Sequence, residues 1–499
     1  MGQSNLAGAS PIEDEERAGA PADGMARLTT GVRGLDEILG GGVPANRAYL
    51  IRGGPGSGKT SLGFHFLEAA DNGLFLTFGE RESQLRANAR ALGMGLATTQ
   101  VLDFSPQSED LRRADYDILD PAEVEGNGIL DRIFEAVADV SPDRVVIDSM
   151  TQLRYLAASA QQFRTQALAL LRLLTDCGAT VFFTSEASEE APDADLQFLS
   201  DGVIEIQAND DERYVTVRKL RGIDFRGGAL RARMRPGHGL SVFPEVRPRD
   251  AHKAFTMETM RSGIPELDAL LQGGLDRGTV TMISGPSGVG KTSVGLQYMK
   301  EAAGRGERSM LYTFEERGAT LVARARGLGI PLEQMMDTGT LGLKRVEPLD
   351  TSEAEFAQEV RDEVEANGTR LVMIDSFSGY RMAMTGGRDV VRPIHALVQY
   401  LTNQGVGVIL INEVATVASE EFRISDLGAS YLADTVIFMQ YLELSGELRK
   451  AIGVLKKRTG DFQKTLREIA LTDYGIQVGQ PLTHLRGLLT GKPEFASSN

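Results

Sequence analysis

The chain carries one long segment twice. Residues 30–61 (TGVRGLDEILGGGVPANRAYLIRGGPGSGKTS) match residues 262–293 (SGIPELDALLQGGLDRGTVTMISGPSGVGKTS). Two shorter matches follow in the same order, RVVIDSM with LVMIDSF and VRKLRG with VLKKRT. The spacing between the matched segments drifts by only a few residues, which indicates tandem duplication of a whole domain rather than convergence of one motif.

The repeat and the polar segments around it predict the domain limits. We expect a disordered acidic tail at 1–24, a first domain at 25–243, a linker at 244–255, a second domain at 256–485 and a short C-terminal tail at 486–499. The N-terminal tail is rich in Ala, Gly, Pro and Glu, a composition typical of disorder. It has neither the basic start nor the apolar middle of a secretory signal.

Within each copy, short apolar runs alternate with amphipathic segments. In the first copy AYLIRG, GLFLTF and RVVIDS predict strands, while TSLGFHFLEAA and FRTQALALLRLLTD have helical spacing. Strands that alternate with helices predict an α/β fold, in which helices cover both faces of a mostly parallel sheet. Ligands of such sheets bind at the carboxyl ends of the strands, where the motifs below are found.

The composition excludes several classes of protein. The 499 residues carry a formal net charge of −16, which repels phosphate backbones and argues against nucleic-acid binding. One cysteine, Cys177, rules out an internal disulfide and fits a reducing compartment. No apolar run reaches the length of a membrane span. We therefore expect a cytoplasmic protein that binds neither nucleic acid nor membranes.

Each copy contains a P-loop. GGPGSGKT (53–60) and GPSGVGKT (285–292) both fit G-x-x-x-x-G-K-[ST], and each stands between a predicted strand and a predicted helix. Backbone N–H groups of such a loop close around phosphate oxygens at a helix N-terminus. A glycine-rich turn with a chance lysine does not explain two full matches in matched contexts.

In this motif the lysine reaches the β- and γ-phosphates of the nucleotide and the threonine binds Mg²⁺. We expect Lys59 and Lys291 to take the first role here, and Thr60 and Thr292 the second. The predicted nucleotide-binding residues are Gly53, Gly54, Pro55, Gly56, Ser57, Gly58, Lys59, Thr60 and Ser61 in the first copy, and Gly285, Pro286, Ser287, Gly288, Val289, Gly290, Lys291, Thr292 and Ser293 in the second.

An aspartate ends one further apolar strand in each copy. Asp148 follows RVVI and Asp375 follows LVMI, both downstream of a P-loop. An acid at this place can hold magnesium, as a Walker B aspartate does. Because a serine follows each aspartate, a helix N-cap is the alternative interpretation.

Glutamates end the strand that follows each P-loop helix, in TFGE and TFEE. Glu80 and Glu316 align with each other, whereas Glu315 has Gly79 as its counterpart. A carboxylate here can orient a water or take a proton from a nucleophile beside the γ-phosphate. We interpret Glu80, Glu315 and Glu316 as catalytic. The alternative is an acidic first turn of the next helix.

A K-x-R motif lies late in each copy, with Lys219 and Arg221 in KLR and Lys456 and Arg458 in KKR. These residues are too distant in sequence to belong to the local phosphate cradle. A nucleotide bound between subunits needs a cation from the neighbour, and such a cation accelerates transfer by roughly 10³–10⁵-fold. The alternative is a solvated basic β-ribbon, but recurrence in both copies favours the interfacial interpretation.

These motifs resemble those of the KaiC family, the double-domain RecA-like ATPases of bacterial clocks and their relatives. The resemblance rests on both P-loops, TFEE, VMIDS, both K-x-R motifs and the segment 428–458, which is similar to the family's autophosphorylation region. It covers nearly the whole chain except the tails. It implies two tandem RecA-like P-loop NTPase domains, a homo-hexameric double ring, and ATP with Mg²⁺ at every subunit interface. In that arrangement the first tier hydrolyses ATP and the second also phosphorylates itself.

Three departures from the family's pattern stand out. The family has two adjacent acids in its first copy, where this chain has Gly79 and one glutamate. Ser430 and Tyr431 match the family's phosphorylated Ser-Thr pair and are therefore the candidate phosphoacceptors. Phe225 and Phe462 stand where the family has a histidine after each K-x-R motif.

We expect an ATPase with serine/threonine autokinase activity that works as a signalling timer or switch. One alternative is a DNA-dependent ATPase of the RecA/DnaB type, which the charge of −16 disfavours. Another is an ATP-gated docking scaffold with little kinase activity, which Gly79 makes credible for the first tier. The resemblance makes a KaiB-like protein a candidate partner. KaiA is not expected as a partner, because the chain stops at PEFASSN, short of the family's KaiA-recruiting tail.

Overall fold

The two copies of the repeat fold into two units with the same strand order. The computed structural model describes residues 25–105, 108, 121–157, 159–186, 192–209, 212–248, 253–347, 351–384, 391–414, 431–444, 446–483, 485–486 and 494–495. The chain divides into compact units at Met1–Pro244 and Glu245–Asn499. No helix in the described ranges is both long and apolar enough to cross a bilayer.

Helices and strands alternate in the first half as the apolar runs indicate. Its helices are α1 Arg33–Ile38, α2 Lys59–Glu68, α3 Glu82–Ala91, α4 Pro121–Val140, α5 Met150–Leu156, α6 Ala160–Asp176 and α7 Ala194–Leu199. Its strands are β1 Arg27–Leu28, β2 Val43–Pro44, β3 Ala48–Gly53, β4 Gly73–Thr77, β5 Thr99–Asp103, β6 Arg144–Asp148, β7 Thr180–Glu186, β8 Gly202–Ala208, β9 Arg213–Leu220, β10 Ala229–Arg235 and β11 Gly239–Phe243.

The second half repeats this alternation. Its helices are α8 Pro265–Leu270, α9 Lys291–Gly304, α10 Gly318–Gly327, α11 Leu332–Asp337, α12 Glu353–Asn367, α13 Phe377–Ala383 and α14 Val391–Asn403. Its strands are β12 Thr259–Met260, β13 Leu275–Asp276, β14 Val280–Gly285, β15 Ser309–Thr313, β16 Leu341–Arg345, β17 Leu371–Asp375, β18 Gly407–Glu413, β19 Thr435–Leu444, β20 Glu447–Lys457, β21 Arg467–Thr472, β22 Gly475–Pro481, β23 Leu485–Arg486 and β24 Glu494–Phe495.

Each half is built on a nine-stranded sheet. The order is β11-β10-β9-β8-β3-β7-β6-β4-β5 in the first half and β16-β15-β17-β18-β14-β19-β20-β21-β22 in the second. Six neighbouring strands run parallel in each sheet: β8, β3, β7, β6, β4 and β5 in the first half, and β16, β15, β17, β18, β14 and β19 in the second. Each of the other three strands pairs antiparallel with its neighbours. The predicted fold of two tandem RecA-like domains with mostly parallel sheets is confirmed.

Helices cover both faces of each sheet. Along β3, Tyr49 and Ile51 pack into a core with helices α1–α3, whereas Ala48 and Leu50 pack into a second core with α4–α7. The second half has two cores in the same way, one with α8–α11 and one with α12–α14. Because both faces are buried, the central strands are continuous apolar runs rather than alternating ones.

The first antiparallel strand of each sheet carries a bulge at the same place. The β8–β9 register shifts between Val203, paired with Lys219, and Ile204, paired with Val217. The β19–β20 register shifts between the matching residues, Val436 and Ile437. Arg218 and Leu455 are therefore the extra residues of the two bulges, and each directly precedes the lysine of a K-x-R motif.

Candidate functional site

Each P-loop connects a central strand to the helix that follows it, β3 to α2 and β14 to α9. The residues before the helices, Gly58 and Gly290, have φ of 107° and 116°. These angles lie in the left-handed region that favours glycine, because a Cβ would be strained there. The loop can therefore turn its backbone N–H groups inward, as a phosphate cradle requires.

Both P-loop lysines are buried and held by backbone oxygens. Lys59 Nζ donates to the carbonyl oxygens of Gly53 and Gly54 at 2.9 Å each, and Lys291 Nζ donates to that of Pro286 at 2.8 Å. Burial lowers the pKa of both lysines, an effect that nearby carboxylates oppose. A phosphate is a stronger acceptor for an ammonium group than a neutral carbonyl, so the lysines can exchange these contacts for a nucleotide.

The P-loop threonines contact the strand-end aspartates. Thr60 Oγ1 donates to Asp148 Oδ2 at 2.5 Å, and Thr292 Oγ1 donates to Asp375 Oδ2 at 2.7 Å. Burial raises the pKa of Asp375, and the hydrogen bond from Thr292 opposes that rise. The aspartates do not cap the next helices, because the N-cap side chains of α5 and α13 belong to the following serines.

A hydroxyl beside a carboxylate fits Mg²⁺, which favours oxygen ligands and takes few of them from protein. Across the described ranges, no group of three or more His, Cys, Asp or Glu side chains could hold a metal ion by itself. The Thr–Asp pairs could therefore bind Mg²⁺ only together with phosphate oxygens or water.

Glu80 and Glu316 occupy matching positions just after β4 and β15. Glu80 Oε2 accepts a hydrogen bond from Asn88 Nδ2 at 3.2 Å, and Glu316 Oε2 accepts one from Arg324 Nη2 at 2.7 Å. In each half the glutamate N–H donates at 3.2 Å to the threonine hydroxyl three residues earlier. The two backbones are anchored alike, but Glu316 pairs with a cation and Glu80 with a neutral amide.

The extra acid of the second half has its own partner. Glu315 Oε1 accepts a hydrogen bond from Ser376 Oγ at 2.6 Å. Its counterpart Gly79 does not have a positive φ, and a Cβ built on it would meet no atom within 4 Å. The glycine is therefore required neither by backbone conformation nor by packing.

In the second half, side chains of the P-loop, the aspartate strand end and the TFEE motif face one cavity of about 250 Å³. The predicted site residues that line it are Ser287, Gly288, Gly290, Lys291, Thr292, Ser293, Glu315, Glu316 and Asp375. Arg324, Ser376 and Glu413, which are not among the predicted site residues, also line it. One cavity thus contains an ammonium group, a hydroxyl beside a carboxylate, and further carboxylates at the ends of neighbouring strands.

The K-x-R residues do not line that cavity. Lys219 Nζ donates to the carbonyl oxygens of Gln197 and Ser200 at 2.7 and 2.6 Å, and Lys456 Nζ donates to that of Ala433 at 2.6 Å. The arginines pair with matching aspartates, Arg221 with Asp201 at 3.5 Å and Arg458 with Asp434 at 3.4 Å. Both arginine side chains are about half exposed, at 52% and 54%.

Comparison with known proteins decides the family. The model of the KaiC ATPase domain matches residues 28–247 and again residues 260–483. The chain belongs to the KaiC ATPase family. The resemblance inferred from the motifs is confirmed, and membership supports ATP binding and ATPase activity.

Several KaiC proteins are similar over nearly the full chain. The circadian clock protein KaiC3 of Synechocystis sp. (strain PCC 6803) is 27% identical, with 96% of each chain covered. The circadian clock oscillator protein KaiC of Prochlorococcus marinus (strain MIT 9313) is 28% identical, covering 94% of this chain and 95% of its own. The KaiC of Synechococcus elongatus (strain PCC 7942) is 27% identical, with 94% and 92% covered.

Within this KaiC-type architecture, two cations that are not among the predicted site residues contact the P-loops. Arg213 Nη2 donates to the Gly56 carbonyl oxygen at 3.1 Å, and Lys450 Nζ donates to that of Gly288 at 3.1 Å. The two glycines are matching P-loop residues, and each cation precedes a K-x-R lysine by six residues. A full alignment of the repeats would have found this pair, because a basic residue recurs at the same place.

Two acids beside the P-loop strands were missed as well. Glu186 ends β7 in register with Gly53, and Glu413 ends β18 in register with Gly285. Their charges raise the pKa of Lys59 and Lys291 against the effect of burial. Comparison of the two repeats could have identified these acids, because the matching strands β7 and β18 both end in glutamate.

The predicted phosphoacceptors are only partly described. Ser430 lies outside the described residues. Tyr431 is about half exposed, and its ring centroid lies 6.0 Å from that of His395. Tyr431 is two residues before Ala433, whose carbonyl oxygen holds Lys456 of the K-x-R motif.

Proposed function

We propose that this KaiC-family ATPase binds ATP with Mg²⁺ in both halves, hydrolyses it, and phosphorylates itself in the second half. The observation that carries the proposal is the second-half cavity, where Lys291, Thr292, Asp375 and two glutamates face one space. We assign the two functional domains to 25–243 and 256–485, joined by the linker at 244–255.

In the second half, Lys291 binds the β- and γ-phosphates, and Thr292 with Asp375 would hold the magnesium ion. Bound Mg²⁺ would neutralise charge on the phosphate oxygens during transfer. Glu315 takes the proton of the serine hydroxyl, and Ser376 orients its carboxylate by the 2.6 Å hydrogen bond. Glu316 is held by Arg324 and orients a water for hydrolysis.

In the first half, Lys59, Thr60 and Asp148 take the same binding roles. Glu80 is the acid left to align a water, because Gly79 has no side chain. We therefore assign hydrolysis alone to the first half. A docking scaffold that holds ATP mainly to keep its ring closed is the second candidate for this half, and the same missing acid favours it.

We assign the K-x-R residues to the ATP of a neighbouring subunit. Two observations support this assignment, the absence of Lys456 and Arg458 from their own cavity lining and the half-exposed arginines. Curated relatives are named circadian clock oscillator proteins. We propose a homo-hexameric double ring in the cytoplasm that acts as a timer or switch, with Ser430 as the preferred acceptor before Tyr431 and a KaiB-like protein as a partner.

The proposal is tested by measuring phosphate release with and without single-stranded DNA, together with intact-mass analysis of the protein after incubation with ATP. DNA-independent release and added phosphate that maps to Ser430 would support it. Release stimulated by DNA would favour a recombinase-type ATPase. Slow release with no added phosphate would favour the scaffold.

A further inference from the structure

A chain of four charged side chains crosses the sheet of the first half. Arg52, on the P-loop strand β3, binds both oxygens of Asp193 at 2.9 and 3.3 Å and reaches Glu205 at 3.1 Å. Glu205 in turn pairs with Arg218 at 2.6 Å. Asp193 and Glu205 are 5% and 12% exposed and Arg52 is 22% exposed, so these three are largely removed from water, whereas Arg218 is 54% exposed. Two cations and two anions balance one another.

Both arms of the network lead to the same lysine. On one side, Arg218 is the bulge residue directly before Lys219. On the other, Asp193 accepts a hydrogen bond from Gln197 Nε2 at 2.8 Å, and the Gln197 carbonyl oxygen accepts one from Lys219 Nζ at 2.7 Å. Through its two acidic partners, Arg52 thus connects to both neighbours of Lys219: Arg218 on β9 and Gln197 on α7.

Arg52, which contacts both acids of the network, lies next to the P-loop in the chain. Arg52 directly precedes Gly53, whose carbonyl oxygen accepts the hydrogen bond from Lys59 Nζ. Under the proposed function, Lys59 leaves this oxygen when it binds phosphate. The strand end that carries Arg52 therefore responds to nucleotide in the subunit's own P-loop.

In the second half, the residues that match Arg52, Glu205 and Arg218 are uncharged, while the counterpart of Asp193 lies outside the described residues. In the first half Arg52 on β3 pairs with Glu205 on β8, and in the second half Ser284 on β14 pairs with Phe438 on β19. Ser284 therefore stands in the place of Arg52, and Phe438 in the place of Glu205. Leu455 takes the place of Arg218 at the bulge and packs against the core. Uncharged residues at these three positions are therefore compatible with the fold, as expected for ion pairs that uncharged groups can replace.

We propose that Arg52, Glu205 and Arg218 are positioning residues that couple the first-half P-loop to Lys219 of the same subunit. This inference rests on the proposed function, in which Lys219 reaches the ATP of a neighbour. Nucleotide in one first-half site then changes the position of the lysine offered to the next site, so binding around the first tier is cooperative. The second tier has no such ion-pair coupling through Ser284, Phe438 and Leu455.

The test uses the full chain carrying Lys291→Ala, which silences nucleotide binding in the second half. Binding of a non-hydrolysable ATP analogue with Mg²⁺ is measured by equilibrium dialysis, over analogue concentrations at which light scattering shows a hexamer in every sample, so that assembly does not contribute to the Hill coefficient. A typical allosteric coupling of about 5- to 150-fold gives a Hill coefficient clearly above 1 in this parent. Glu205→Phe and Arg218→Leu introduce the residue types that the second half has at the matching positions. Adding both substitutions to the parent should lower the Hill coefficient to about 1 while the hexamer persists.

Three further variants separate positioning from a general structural role. Arg218→Lys keeps the charge and should keep the cooperativity. Glu205→Gln with Arg218→Gln breaks the network with little change in side-chain volume. This variant is used instead if the protein with Glu205→Phe and Arg218→Leu does not fold. An Arg132→Gln and Glu135→Gln pair removes an ion pair within helix α4 and should leave the coefficient unchanged.

A hexameric Glu205→Phe/Arg218→Leu protein with the parent's Hill coefficient would overturn the inference, as would a hexameric parent that binds without cooperativity. A monomeric parent at saturating analogue would overturn the interfacial sites themselves and the inference with them. The measured mass distinguishes this last outcome from the first two.

Discussion

Ser376 Oγ donates a hydrogen bond of 2.6 Å to Glu315 Oε1, and the two residues lie 61 positions apart in the chain. The first half keeps the matching serine, Ser149, but has Gly79 where the glutamate stands. Both serines cap the helix that follows the aspartate strand. The two halves therefore share the helix cap, but among the described residues only the second half has a carboxylate that accepts a hydrogen bond from the capping serine.

Replacing Ser376 by alanine should slow phosphoserine formation by about tenfold or more, because hydrogen bonds to charged groups contribute about 1.5–3 kcal/mol. Ser149→Ala is the matched control, since it removes a helix cap worth about 1 kcal/mol but no contact to a catalytic acid. Phosphoserine is quantified by mass spectrometry after timed incubation with ATP. Equal slowing in both variants would mean that the cap alone matters.

Glu315→Gln and Glu80→Gln should affect different activities. A positioned base contributes about 10²–10⁴-fold to proton transfer, so Glu315→Gln should abolish phosphoserine and spare much of the hydrolysis. Glu80→Gln should lower phosphate release and spare phosphoserine. The two products are measured separately in the same reaction. Equal loss of both activities in both variants would contradict a division of labour between the halves.

Lys291→Ala should remove self-phosphorylation while nucleotide stays bound in the first half, because the substitution deletes the ammonium group from the second cradle only. Native mass spectrometry counts the nucleotides per subunit, and radioactive ATP reports phosphorylation. Lys59→Ala is the matched control and should leave phosphorylation of the second half in place. Normal labelling of the Lys291→Ala protein would assign the kinase activity elsewhere.

Removing ATP and Mg²⁺ should reduce the particle mass. If Arg221 and Arg458 complete sites across subunit interfaces, ATP belongs to the contact and stabilises the ring by mass action. Light scattering before and after nucleotide removal checks this, and returning ATP with Mg²⁺ should restore the mass. The same mass under both conditions would show that nucleotide does not hold the subunits together.

Gly79→Glu should leave the fold as stable as the parent, within about 0.5 kcal/mol, because a side chain at this position meets open space. Gly42→Glu is the contrasting control. Gly42 has φ of 118°, and a Cβ there would lie 2.1 Å from the Leu28 carbonyl oxygen, so this change should cost more than about 1–3 kcal/mol. Denaturant unfolding gives both values. A large loss for Gly79→Glu would mean that packing requires the glycine.

The nucleotide cradle was predictable from sequence because its parts are local. A P-loop needs its glycines, lysine and threonine within eight residues, and the strand–loop–helix context is visible in the adjacent apolar periods. Asp148 and Asp375 could be selected because each ends an apolar strand at a fixed place in the repeat, and the structure places each beside a P-loop threonine. The missed cations Arg213 and Lys450 reach the same loops from a distant antiparallel strand, and neither shares a local motif with them.

By itself the sequence determined the duplication, the alternation of strands and helices, and the chemical groups at the strand ends. These follow from repetition and from the periods of apolar residues, which act over a few positions. Only the tertiary structure decided which of those groups meet. The contacts from Ser376 to Glu315 and from Arg52 to Glu205 span sheet neighbours far apart in the chain, and strand order rather than local spacing brings them within hydrogen-bond distance.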